Sequence, residues 1–172
     1  FSDQKEVAAD ANKRLAALNV PRAVGGRVPR LISSEKYLEV GSISSDGRQM
    51  ALVTWATAED DGSIVLREIV TGQSRVIEKG TCGPGASRCT FANSPVFSPD
   101  SRQLAYAWYD QSGFGGAATL RVKSTEAGAK PRLLVGSSEL NIWPRGWSPD
   151  GKRLLAIVRK SIDRTWQIVW VS

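Results

Sequence analysis

One twelve-residue pattern recurs along this chain and limits what it can become. Val96-Phe97-Ser98-Pro99-Asp100-Ser101-Arg102-Gln103-Leu104-Ala105-Tyr106-Ala107 reads as strand, tight turn, strand. Gly146-Trp147-Ser148-Pro149-Asp150-Gly151-Lys152-Arg153-Leu154-Leu155-Ala156-Ile157 is a second copy. Ser42-Ile43-Ser44-Ser45-Asp46-Gly47-Arg48-Gln49-Met50-Ala51-Leu52-Val53 is a looser third. The turn aspartates Asp46, Asp100 and Asp150 are 54 and 50 residues apart. A period of about 40–50 residues with several short strands per unit predicts an all-β chain of β-propeller blades, each a four-stranded antiparallel sheet.

Each turn has a chemical reason. Pro99 and Pro149 preset φ at the first central position. Asp46, Asp100 and Asp150 can accept backbone N–H groups in Asx-turns, and Gly47 and Gly151 supply positive φ without a steric cost. Ser101 replaces that glycine in one copy, and Ser45 replaces the proline in another. Looser turns are expected at those two places, within the same fold. The apolar runs that follow, Met50 to Val53, Leu104 to Ala107 and Leu154 to Val158, suit strands buried on both faces.

Phe97-Ser98-Pro99-Asp100-Ser101-Arg102-Gln103-Leu104-Ala105-Tyr106 and Trp147-Ser148-Pro149-Asp150-Gly151-Lys152-Arg153-Leu154-Leu155-Ala156 resemble the WD40-like repeat of TolB-type β-propellers. In that family the blade continues with a Leu-x-Val strand, a short turn and an outer Arg-x-Leu strand. Leu120-Arg121-Val122, Glu126-Ala127-Gly128 and Arg132-Leu133-Leu134-Val135 fit that order, as do Ile64 to Ile69, Thr71-Gly72 and Arg75-Val76-Ile77. The last copy stops at Gln167 to Ser172 without an outer strand. The resemblance covers roughly residues 28–172. It implies a fold that serves many unrelated functions, and it does not imply an activity.

The expected organisation is therefore an N-terminal helix and linker over 1–27, then a three-repeat segment over 28–172. The blades fall at about 40–80, 93–136 and 143–172. Val7, Ala8, Ala11, Leu15 and Leu18 lie on one helical face behind the capping-box-like pair Asp3 and Glu6. Arg30-Leu31-Ile32, within 28–33, matches the outer-strand type and is expected to act as a closing strand for a blade that lacks one. At 172 residues the soft expectation is one domain. No apolar run approaches the roughly 18 residues that span a bilayer. The chain begins at Phe1, which fits either a removed signal peptide or a piece of something longer.

The chemistry-bearing residues are few. Cys82 and Cys89 flank six residues rich in Gly and Pro, so in a secreted chain they read as a disulfide in an oxidising compartment; the alternative is two reduced thiols. With no His anywhere and no second cysteine pair, the usual ligand sets of a structural zinc site are missing, and no His-dependent nucleophile system can be assembled from this chain. No catalytic residue and no cofactor are expected. Glu59-Asp60-Asp61-Gly62 lacks the alternating ligands of a calcium loop and reads as a solvated hairpin tip. Ser112-Gly113-Phe114-Gly115-Gly116 reads as another tip, with no Lys-Ser/Thr to make it a phosphate loop. Phe114 and Trp143 are the candidate contact residues for a partner.

The net charge of +6 is spread along the chain without a basic run, which argues against a nucleic-acid partner. Three readings of function follow. The first is a non-catalytic propeller that binds protein or peptide on its loop face, periplasmic or secreted. The second is an accessory propeller of a prolyl oligopeptidase-like serine peptidase, and the third is the sensor portion of a signalling protein. Three repeats are too few for a ring of about 4–8 blades, so the expectation is either a homodimer completing a six-bladed ring, which is favoured, or an open arc belonging to a longer propeller.

Overall fold

Each recurrence of the Ser-x-Asp turn joins the first two strands of its own antiparallel sheet. The structure, a computed structural model, describes residues 38–55, 62–81, 89–110 and 117–172. The helix and linker expected over 1–27, the closing strand at 28–33, the tips around Asp60 and Phe114, and Cys82 lie outside the described residues. Within them there are eleven strands and three sheets.

The first sheet runs in the order β1 (Leu38–Ile43), β2 (Gln49–Thr54), β3 (Ser63–Glu68), β4 (Ser74–Glu78). The second runs β5 (Thr90–Phe97), β6 (Gln103–Asp110), β7 (Ala118–Ser124), β8 (Arg132–Val135). The third has three strands, β9 (Leu140–Trp147), β10 (Leu154–Lys160) and β11 (Trp166–Val171). Every pairing is antiparallel between sequence neighbours, which is what short polar turns between apolar runs produce. The first strand of each sheet carries an irregularity, near Gly41, Ser94 and Arg145. Pro95 and Pro144 lie on these first strands, at sheet edges, where a missing N–H breaks no ladder.

The sheets stack face to face. Ala51, Val53, Ile64 and Leu66 of the first sheet pack with Phe97, Leu104, Tyr106 and Trp108 of the second. Ala105, Leu120 and Val122 on the second sheet's other face pack with Ile142, Leu154, Ala156 and Val158 of the third. The first strands stay adjacent, β1 beside β5 and β5 beside β9. β2 and β6 are buried on both faces as their apolar runs predict. β10 is not: Leu154, Ala156 and Val158 are buried, but Leu155 and Ile157 are only half-buried. No further sheet lies on that face among the described residues.

Polar contacts pin the first seam. Lys123 Nζ reaches across it from β7 to the carbonyl of Ile77 at 2.5 Å and to Glu78 Oε2 at 2.7 Å. Both ends of this ion pair are largely out of water. Among the described residues the buried Tyr106 hydroxyl has no hydrogen-bond partner, and burial followed by the Glu78 carboxylate pushes its phenol far above the usual range.

Candidate functional site

The residues nominated by the repeat lie at one end of the sheets and form three copies of one frame. Ser98 Oγ donates to Asp100 Oδ1 at 2.6 Å, and the Arg102 N–H donates to the same oxygen at 3.0 Å. The Gln103 N–H closes the frame on Ser98 Oγ at 3.0 Å. Ser44, Asp46, Arg48 and Gln49 repeat it, as do Ser148, Asp150, Lys152 and Arg153, with distances within 0.1 Å. The serine hydroxyl and then the backbone N–H hold each carboxylate below its ordinary pKa. Pro99, Pro149 and Gly151 line a cleft of about 250 Å³ between the second and third turns.

The expectation of looser turns at Ser45 and Ser101 is corrected. Ser101 adopts φ +60°, matching +70° at Gly47 and Gly151, and its frame is as tight as the others. The preceding serines, Ser44, Ser98 and Ser148, hold the geometry, and all three are buried.

The opposite end of the sheets is built differently. Trp55 follows β2, Phe91 is the second residue of β5, and Tyr109 is the penultimate residue of β6. Phe91 and Tyr109 are directly paired across strands, and their rings stack with centroids 4.3 Å apart. Trp55 leans onto Phe91 from the neighbouring sheet at 5.3 Å. From the third sheet, Trp143 Nε1–H donates to Tyr109 Oη at 2.7 Å. The Trp143 ring in turn stacks on Trp166 at 5.5 Å. Five aromatic side chains thus run unbroken across three sheets.

Gly62 lets this belt close. It takes φ +79°, and a Cβ there would overlap Phe91. Its N–H donates to the Thr54 carbonyl and its own carbonyl accepts from Ala92 N–H, both at 2.8 Å, tying the first sheet to the second beside the rings.

A carboxylate and a cation flank the belt. Glu39 on β1 accepts from Asn93 Nδ2 at 3.0 Å and from the Ser94 N–H at 3.1 Å. Ser94 holds φ +53° within the irregularity of β5, an arrangement that re-aims neighbouring groups. Glu39, Ser94, Pro95, Pro144 and Arg145 line a cleft of about 200 Å³. Burial raises the Tyr109 phenol, the Trp143 N–H lowers it in part, and Glu39 raises it again. Tyr109 therefore keeps its proton at neutral pH and can donate it.

Of the two nominated contact residues, Trp143 belongs to this belt and Phe114 lies outside the described residues. Trp55, Phe91, Tyr109, Trp166 and Glu39 were not singled out. One signal was present. Trp55 and Tyr109 each stand nine residues after the turn aspartate, and Arg159, at that place in the third copy, lies over the Trp166 ring at 5.7 Å.

No family model and no curated protein sequence matches this chain. Among solved structures, TolB from Acinetobacter baumannii superposes with a TM-score of 0.55 at 15% identity, over 84% of this chain and 35% of that one. The fold is that of TolB-type β-propeller blades. The chain corresponds to about a third of that relative's length. A structure described as part of an analysis of two prolyl endopeptidases aligns at a TM-score of 0.49 and 18% identity, over 86% of this chain and 25% of that one. That value is below the level at which a shared topology can be argued.

In propeller terms, the Ser-x-Asp frames occupy one face of the blades, and the aromatic belt marks the face from which the β2–β3, β6–β7 and β10–β11 connections leave. Among the described residues, no group of three or more His, Cys, Asp or Glu side chains converges to hold a metal, and no helix is long and apolar enough to cross a membrane. What the belt offers is a run of ring edges, a phenol O–H and a fixed carboxylate. Such a surface is suited to gripping a chain.

Proposed function

We propose that this chain is a non-catalytic β-propeller segment that binds protein or peptide partners on its loop face, along the rim formed by Trp55, Phe91, Tyr109, Trp143 and Trp166. The observation that carries this reading is the continuity of those rings across three blades, beside the Glu39 carboxylate. Aromatic side chains with a polar tip supply large contact area at low entropic cost. The negative charge of Glu39 at the rim disfavours a nucleic-acid ligand there. Nothing in the rim pairs a nucleophile with a base, and the sequence holds no His, so the chain is expected to leave peptide, ester and glycoside model substrates uncleaved. A periplasmic or secreted setting is part of the proposal, supported by Cys89, which carries no free thiol.

Selection of a random displayed peptide library on the folded chain tests the reading. Enriched peptides should lose about tenfold or more in affinity on Trp143→Ala or Glu39→Gln, the scale expected of an interface hot spot. They should be indifferent to Asp100→Asn. The reverse pattern would overturn it.

The two-copy ring is not part of the proposal.

A further inference from the structure

Register brings one residue of each first strand to the same level. Glu39 on β1, Asn93 on β5 and Trp143 on β9 each pair with the residue seven places after the turn aspartate, Val53, Ala107 or Ile157. Just beyond that level each first strand breaks its ladder, and Gly41, Ser94 with Pro95, and Arg145 are left out of the pairing. Irregularities of this kind re-aim the groups they carry. These four residues, with Glu39 and Pro144, surround the cleft of about 200 Å³.

The walls of the cleft are fixed. A Cβ on Gly41 would overlap the Pro95 carbonyl, so only glycine lets β1 come this close to β5. Pro95 and Pro144 are fully buried. Ser94 holds its left-handed φ of +53°, a strained conformation that persists only where the surroundings over-determine it. Its N–H donates to Glu39 Oε1 at 3.1 Å, and its Oγ donates to Asn93 Oδ1 at 2.6 Å. Asn93 Nδ2 holds the other Glu39 oxygen at 3.0 Å. From the third blade, Arg145 Nη1 reaches Ser94 Oγ at 3.5 Å. Ser94 thus stands between two opposite charges. Among the described residues no ion pair joins Glu39 to Arg145, or either of them to a third group.

We propose that this cleft binds a small zwitterion of the free amino acid class, with an ammonium and a carboxylate a few atoms apart. The Glu39 carboxylate has acceptor sites left beside the two in use, and these take the ammonium. The planar Arg145 guanidinium takes the carboxylate. A plain cation would meet Arg145 and a plain anion would meet Glu39, and like charges so placed cost affinity. Size points the same way. The cleft is smaller than the roughly 300–1,000 Å³ of pockets that hold larger ligands, so it suits a molecule of few heavy atoms. The site shares Glu39 with the rim but does not require the rings.

Glycine, β-alanine and 4-aminobutyrate space the two charges progressively further apart and are the probes. Each is titrated into the full chain while nitrogen–proton spectra follow the Ser94 amide and the Arg145 Nε–H. At least one should shift both signals saturably and bind about tenfold tighter than its N-acetyl derivative and its amide, each of which lacks one charge. Arg145→Gln should erase the preference over the amide, and Glu39→Gln the preference over the N-acetyl derivative. Asp100→Asn, at the other end of the sheets, should change neither. The comparison among ligands on the unaltered chain decides the matter even where Glu39→Gln fails to fold. None of the probes carries an apolar side chain, so the outcome is independent of whether the rings hold a partner. Equal affinity for the zwitterions and their singly charged derivatives would overturn the proposal. So would the absence of any saturable shift at Ser94 and Arg145 at millimolar concentration.

Discussion

The backbone N–H of Ser45 donates to Oγ of Ser101 at 2.8 Å, and the two hydroxyl oxygens lie 2.9 Å apart. These are the two residues that depart from the repeat. Proline at position 45 would have no N–H to give, and glycine at position 101 would have no oxygen to receive it. At the next junction the unaltered residues face each other, with Pro99 Cδ 3.8 Å from where a Cβ on Gly151 would lie. The two departures thus replace an apolar contact between blades with a hydrogen bond.

Restoring the repeat one residue at a time should therefore cost more than restoring both. Ser45→Pro should destabilise by about 1 kcal/mol through the lost bond. Ser101→Gly should be close to neutral, since relief of a left-handed φ of about 1 kcal/mol offsets the same loss. The double variant should be less destabilised than the sum of the singles by about 0.5–1 kcal/mol, because the shared bond is lost only once. A urea-denaturation cycle measures this, and strict additivity would mean that the contact is idle.

The strands, their order and the stacking of the blades were legible in the sequence because apolar runs and Ser-x-Asp turns act locally. The Ser45–Ser101 bond was not, because its partners are 56 residues apart and each looks like an independent loss. The rim was half legible. Trp143 stood out as an aromatic, but its bond to Tyr109 depends on how one blade sits on the next. Glu39 carried no sequence signal, since only the irregular backbone at Ser94 turns an N–H toward it.

The turn carboxylates predict an acid limb of stability. Asp46, Asp100 and Asp150 have folded pKa values below the ordinary 3.8, first through their serine hydroxyls. A depressed folded value means the stabilisation is fully present above the unfolded value and is lost as pH falls through the folded one. Urea midpoints at pH 6 and pH 3 should therefore differ less in an Asp46→Asn/Asp100→Asn/Asp150→Asn variant than in the parent. An unchanged difference would assign the acid sensitivity to other groups.

The Lys123–Glu78 pair predicts a large asymmetry. Its side chains are 11% and 14% exposed, so removing one partner strands the other charge in the seam. Lys123→Met should cost about 3 kcal/mol, and Lys123→Met/Glu78→Leu should recover most of it. Guanidinium denaturation of the three proteins gives the comparison. A double variant no better than the single would show that the pair's charge is not what matters.

Cys82 and Cys89 should be joined. Closing so short a loop should stabilise the chain by about 2–3 kcal/mol on the chain-entropy estimate. Thiol titration of the unfolded, unreduced protein should find no free thiol, and finding two would refute the bridge.

The central claim is that partners engage the aromatic rim and leave the Ser-x-Asp face free. A nitrogen–proton correlation spectrum, titrated with the tightest library-selected peptide, addresses it most directly. The account predicts that the indole N–H of Trp143 and the amides of Phe91, Tyr109 and Ser94 shift first. The indole of Trp147, bonded to the Val96 carbonyl at 3.3 Å, and the amides of Gly47, Ser101 and Gly151 should stay still. Shifts confined to those turns, with Trp143 unmoved, would contradict it.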